Sequence, residues 1–260
     1  MSSLPAPSPQ PDAAHFAAPV CRNCDAPLTA PYCGQCGQKK VGRLGKGAVG
    51  AEIWQSWRLF ELSVLKAAWQ ILRWPGRVAR EYVLGARTRH MHPLKLLLLA
   101  IGAMLLVLSR SNQLDSSGDA RVSVVMEQVR AYSNWSFSLT IVAFAVASLL
   151  LFRRRGGFNL VEHLVLAVYC HFLVICVSVV IKLPTLFFRD PEFLAGHKSA
   201  SRWFMDAIGV LVLTLAFKQF FALDLRRDGW RLALAAVVFL VTKWGLQRLY
   251  GLALFKLILS

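Results

Sequence analysis

The sequence predicts an all-α membrane protein: a multi-span helical bundle behind a small metal-folded head, with an amphipathic helix lying in the membrane interface. Three observations carry this prediction. The chain of 260 residues is 56% hydrophobic yet bears a formal charge of +16. Its apolar residues fall in blocks close to the ~20 needed to cross a hydrocarbon core. Ahead of those blocks stand two C-x-x-C pairs, Cys21–Cys24 and Cys33–Cys36.

Residues 1–18 read as a disordered leader. The first 20 residues hold five prolines and lack the basic and apolar regions of a secretory signal. Residues 19–38 then read as a four-cysteine zinc ribbon, because two such knuckles with eight residues between them can wrap one tetrahedral ion. Pro27, Pro31, Gly34 and Gly37 suit the tight turns, and Gly37 stands where a knuckle often takes positive φ. The rivals are disulfides, a dithiol redox pair and iron. Cytoplasmic placement speaks against disulfides, and no βαβ pattern surrounds either pair as a thioredoxin-like site requires. Four thiolates leave no open position, so the zinc is expected to be structural.

Residues 39–50 are glycine-rich and basic and read as a flexible linker. The run GRLGKGAVG is not a phosphate loop, because Gly47 follows Lys46 where Ser or Thr is required. From Ala51 to Trp74 apolar residues recur at helical spacing, with Ile53, Trp57, Phe60, Val64, Ala68, Ile71 and Trp74 in one stripe. Such a helix lies in the interface or packs on the body of the same protein, and both readings stand. Pro75-Gly76 ends it.

Residues 51–90 form the amphipathic and juxtamembrane region, and a basic cluster follows Pro75. Between Gly37 and Lys95 there are 12 Lys or Arg against three Asp or Glu. Arg77, Arg80, Tyr82, Gly85, Arg87 and Arg89 are the candidate lipid-contacting residues, with anionic headgroups as counter-charge. Nucleic acid is the disfavoured partner, since the basic residues are sandwiched between interfacial and spanning segments. His90-x-His92 reads as headgroup contact rather than a metal site.

Residues 91–260 form the membrane domain, with about five spans: Met91–Ser109, Trp135–Phe152, Leu164–Ile181, Trp203–Leu223, and Leu232 onward. Arg153–Arg155 and the Arg226, Arg227, Arg231 group put those turns inside with the N-terminus, while residues 110–134 and 189–202 face out. The last segment contains Lys243, Gln247, Arg248 and Lys256, so it spans fully or lies partly in the interface. Charges within spans are costly unless paired. Similar depth couples Asp206 with Lys243 or Lys182, and Glu162 with Lys218. Helix locking or snorkelling is the bland reading of the intramembrane polar residues Glu162, Asp206, Lys218 and Lys243, and a polar path or ligand pocket the sharper one. Cys170 and Cys176 point ~120° apart on one helix and read as buried thiols.

The order of elements resembles a family of uncharacterised bacterial inner-membrane proteins, a domain-of-unknown-function group with an N-terminal zinc ribbon. The residues carrying the resemblance are C-x-N-C at Cys21–Cys24, Y-C-x-x-C-G-Q at Tyr32–Gln38, and Tyr82-x-x-Gly85-x-Arg87 leading to Pro93. Family members often continue with further basic residues and a tyrosine, where this chain has Thr88, Arg89 and His90. The resemblance implies the architecture and a bacterial inner-membrane location, and no known reaction.

No catalytic constellation stands out, so the chain reads as a non-enzyme. The leading reading is a membrane adaptor whose ribbon recruits a cytoplasmic protein partner while the spans anchor it and self-associate as a homo-oligomer. The alternative is a small-molecule transporter or lipid-handling protein using the intramembrane charges. Against the transporter stand the modest span count and the lack of an evident inverted repeat.

Overall fold

The computed structural model describes residues 11–45, 63–110, 138–188 and 190–259. Among them every regular element is helical, apart from two isolated bridges in the cysteine-rich head. The elements are α1 (Ala13–Ala17), α2 (Ser63–Arg73), α3 (Pro75–Val83), α4 (Pro93–Arg110), α5 (Leu139–Phe152), α6 (Leu160–Lys182), α7 (Pro191–Phe220) and α8 (Leu225–Leu259). A 3-10 turn, Leu183–Leu186, follows α6.

Four stretches are long and apolar enough to cross a membrane: Pro93–Arg110, Leu160–Leu186, Trp203–Phe220 and Leu225–Ala253. The second expected span, Trp135–Phe152, is the shorter apolar helix α5, and its expected start at Trp135 lies outside the described residues. The last segment forms one continuous helix, of which Leu225–Ala253 is long and apolar enough to cross a membrane.

α6 is the centre of the bundle. It is apolar on every side and packs against α4, α5, α7 and α3. A helix apolar all round is covered by protein or by lipid, and here Leu166, Ala167, Tyr169 and Cys170 are fully buried in the protein. Asn159 starts α6 with a capping box: its side chain accepts from Glu162 N, and Glu162 Oε2 accepts from Asn159 N. Cys170 and Cys176 are unbridged, as their helical spacing requires.

α2 packs on the body of the protein, one of the two readings of the amphipathic stripe. Ile71, with Ala67 and Ala68, packs on the core, while Trp69, Leu72 and Trp74 are exposed on the other side. Trp57 and Phe60 lie outside the described residues. Pro75 does not end helical structure so much as restart it, because it occupies the first turn of α3, where its missing N–H costs nothing. α3 then lies against α7 and α6 with Gly76, Val78, Ala79, Tyr82 and Val83 buried. A Cβ on Gly76 would stand 1.9 Å from the Ala216 carbonyl oxygen, so the two helices meet backbone to backbone there.

Two expectations of disorder need correction. Asp12 caps the short helix α1, and His15 Nε2 lies 2.9 Å from the Leu84 carbonyl, so the end of the leader is docked. Residues 39–45 are no free tether either: Leu44 is buried in the main core and Asn159 Nδ2 donates to its carbonyl. Leu44 has the apolar area to hold the strap down, and composition alone hides one such residue among glycines and lysines.

Candidate metal centre and its seat on the bundle

The head is built from two copies of one knuckle. Cys21 N donates to Ala26 O, and Asp25 N to Cys21 O. Twelve residues on, Cys33 N donates to Gln38 O, and Gly37 N to Cys33 O. The outer bridges repeat likewise, Val20 with Pro27 and Tyr32 with Lys39. Each knuckle turns on one residue of positive φ, Asp25 at 59° and Gly37 at 70°. The repeated P-x-C-x-x-C at Pro19 and Pro31 is the sequence signal for this internal duplication, which the C-x-x-C spacing alone does not reveal.

Folding the two copies together brings the four Sγ atoms within 4.8 Å of one another. Cys21 to Cys36 and Cys24 to Cys33 are each 3.6 Å apart. A tetrahedral ion with ~2.3 Å metal–sulfur bonds holds its sulfurs about 3.8 Å apart, whereas a disulfide needs ~2.05 Å. The donors around the thiols also suit a cation. Amides of Cys36 and Gln35 hold Cys33 below the usual thiol range, and the Asn23 side chain and Gln38 amide pull Cys36 down to about 6. Cys24, although it accepts from the Ala26 amide, is pushed up to about 12 by desolvation and the neighbouring thiols. Four sulfurs this close can close around a single positive ion, which would hold all four as thiolates, and the residues present fit one metal.

The head is clamped to the bundle by the residue after the second knuckle. Gln38 is buried; its Nε2 donates to Gly85 O at 2.9 Å and its Oε1 accepts from Thr88 N at 3.0 Å. Gly85 has φ 109°, and a Cβ on it would lie 3.0 Å from both Arg22 Cβ and Val41 Cγ2. Arg87 reaches the Gly42 carbonyl at 2.6 Å. The Cys-Gly-Gln knuckle and the Tyr-x-x-Gly-x-Arg segment are thus two sides of one joint.

That joint changes the reading of the juxtamembrane residues. Tyr82 is buried edge-on against Tyr169 and His92. Arg80 donates to the Phe220 carbonyl at 2.7 Å, with its charge disfavoured by burial. Gly85 and Arg87 serve the head. Of the six expected lipid contacts, Arg77 and Arg89 are exposed, and Arg77 also pairs with Glu81 at 2.7 Å. Glu81 is held at about 2, first by the hydrogen bond from His90 and then by Arg77. His90 and His92 are both buried, so neither is a headgroup contact. The positive-inside pattern marked the region correctly as basic, but it cannot distinguish a guanidinium turned to lipid from one satisfying a carbonyl.

The charges expected within spans resolve into two sites. At the head end, Glu162 is paired with Arg43, not with Lys218 as depth suggested. Arg43 Nε and Nη2 meet the two carboxylate oxygens at 2.9 and 3.0 Å, and Nη2 also reaches Gly157 O. The strap on which Arg43 lies folds over the α6 N-terminus, while Lys218 is exposed. In the far half, Lys243 Nζ lies 2.5 Å from Asp206 Oδ1, and Trp244 Nε1 donates to Oδ2 at 3.0 Å. Depth left Lys243 and Lys182 open as partners, and the structure pairs Asp206 with Lys243.

A family model described as "Protein of unknown function (DUF3667)" matches residues 62–105. The match covers α2, α3, the joint at Gly85 and most of α4, which makes this part of the chain similar to that family. No curated protein and no solved structure matches the chain.

Proposed function

We propose that the chain is a non-enzymatic membrane scaffold, multi-pass in a bacterial inner membrane, whose zinc ribbon caps the cytoplasmic end of the bundle and recruits a protein partner there. The observation that carries this is the Gln38 clamp, which makes the ribbon a rigid part of the membrane body rather than a tethered head. A partner held by the ribbon is thereby held in a set orientation to the spans.

Zinc is the ion this donor set suits best, since four thiolates closed around a small d10 cation give a structural site. It supplies folding free energy to a head with almost no core beyond Cys21, Ala26 and Cys33. Sidedness rests on charge. The ribbon end collects the Gly85 joint, the 153–157 turn and the α7–α8 turn, where Arg77, Arg89, Arg153, Arg154, Arg226 and Arg227 are exposed. Such an excess of arginine at one end is typical of cytoplasmic loops and suits anionic headgroups.

The test is pull-down after crosslinking in native membranes, comparing wild type with Cys33→Ser and Gln38→Ala. The expected result is a protein captured by wild type, lost with Cys33→Ser and reduced with Gln38→Ala, while the spans stay folded in all three. Equal capture by wild type and Cys33→Ser defeats the scaffold reading.

A further inference from the structure

The far half of the bundle holds a cleft of about 520 Å³ between α5, α6, α7 and α8. Its polar groups are Thr140, His171, Ser178, Asp206, Lys243 and Gln247, and its apolar walls include Val174 and Ile175. The volume falls in the ~300–1,000 Å³ range of small-molecule sites. Trp203 and Trp244 line it and are 73% and 52% exposed, so its mouth carries the aromatic rings that favour a membrane–water boundary. Asp206 lies one turn along α7 from Trp203, roughly 4.5 Å deeper.

The hydrogen-bonding state of the lining describes the occupant. Both Asp206 oxygens are already taken, by Lys243 and by Trp244. The ion pair cancels its own charge, so the cleft offers no net attraction to an ion. Among the described residues, what remains is chiefly donor capacity: two further N–H of the lysine ammonium and the Gln247 amide. His171 is 2% exposed and lines the cleft, and its Nδ1 has no hydrogen-bond partner among the described residues. Leaving a buried polar atom unpaired costs about 1–3 kcal/mol, and a ligand polar group would recover that.

We propose that this cleft binds the head of a neutral, lipid-soluble molecule bearing carbonyl acceptors. A quinone ring and the ester end of a diacylglycerol share that chemistry. Either would enter from the bilayer, receive hydrogen bonds from Lys243 and Gln247, and place its apolar part beside Val174, Ile175 and the tryptophans. The site is independent of the ribbon, so it stands whether or not the head recruits a partner.

The experiment is a thermal-unfolding titration of the full-length protein in detergent with three probes: decylubiquinone, dioctanoylglycerol and oleate. A ligand that binds only the folded state raises the melting temperature with its concentration. The expected result is a saturable rise with decylubiquinone or with dioctanoylglycerol, whichever binds naming the source, and none with oleate. Val174→Phe, which fills the cleft, and His171→Leu, which removes the unpaired nitrogen, should each weaken the response at least tenfold. Gln247→Leu serves as a third variant if either fails to fold. No response to both carbonyl probes, a stronger response to oleate, or equal responses in wild type and folded variants would overturn the proposal.

Discussion

Arg43→Met tests how firmly the strap after the ribbon is locked onto the bundle. The substitution keeps most of the apolar stem and removes the guanidinium, leaving Glu162, whose side chain is 0% exposed, with no ion-pair partner from the strap. Breaking a buried ion pair from one side costs about 3–5 kcal/mol. Three features lower that figure here. Arg43 is 38% exposed, so part of its attraction is screened by water. Glu162 keeps the Asn159 amide at 2.7 Å. It also sits in the first turn of α6, where the helix dipole favours a carboxylate. A loss of about 2 kcal/mol remains. Glu162→Gln should cost less, about 1 kcal/mol, because the amide still closes the capping box and the freed guanidinium turns to water. The double variant buries no charge and should lose clearly less than the sum of the two singles. Denaturant unfolding in mild detergent, followed by far-ultraviolet circular dichroism, measures all four corners of the cycle. Equal losses in the two single variants, or strict additivity in the double, would refute this account of the lock.

Three further outcomes follow from the same geometry. Elemental analysis of the purified protein should find one zinc per chain, and Cys33→Ser should abolish it and expose the remaining thiols to alkylation; a metal-free, freely alkylated wild type would exclude the site. Gly76→Ala should destabilise by about 3 kcal/mol through overpacking, because the new methyl meets the Ala216 carbonyl and neither helix backbone can yield cheaply; an unchanged unfolding midpoint would show that α3 and α7 are not in contact. His92 is lowered from 6.5 to about 4 by burial, with Arg87 adding its charge, so the unfolded chain takes up a proton that the folded chain refuses. Stability should therefore be full above pH ~6.5, fall by up to about 1.4 kcal/mol per unit toward pH ~4, and level off below that. His92→Gln should flatten that slope, and superimposable pH profiles would count against a neutral, buried His92.

The sequence by itself determined the chemistry that depends on residue type and near spacing. Two C-x-x-C knuckles specify a four-sulfur site because the ligand atoms of each are local, and chain reversal needs only Asp25 and Gly37 at positive φ. Spans such as Leu160–Leu186 are legible because a bilayer demands length and apolarity, both one-dimensional properties. The partner of Asp206 could be narrowed to Lys243 or Lys182 because depth along antiparallel neighbours follows from position in each helix. Tertiary structure alone decided which way a side chain turns and what lies across from it. Arg43 was one basic residue among many in a glycine-rich stretch until the strap carried it to Glu162. Gln38 was a polar residue after a cysteine until its amide met Gly85 and Thr88. Tyr82 and Arg80 shared a basic, aromatic composition with a lipid-facing surface, yet α3 turned them inward to Tyr169 and Phe220. The partners in these contacts are separated by 47 to 140 residues. Hydrogen bonds act over about 3 Å, so only the packing of α3 and the strap onto α6 and α7 could select those partners.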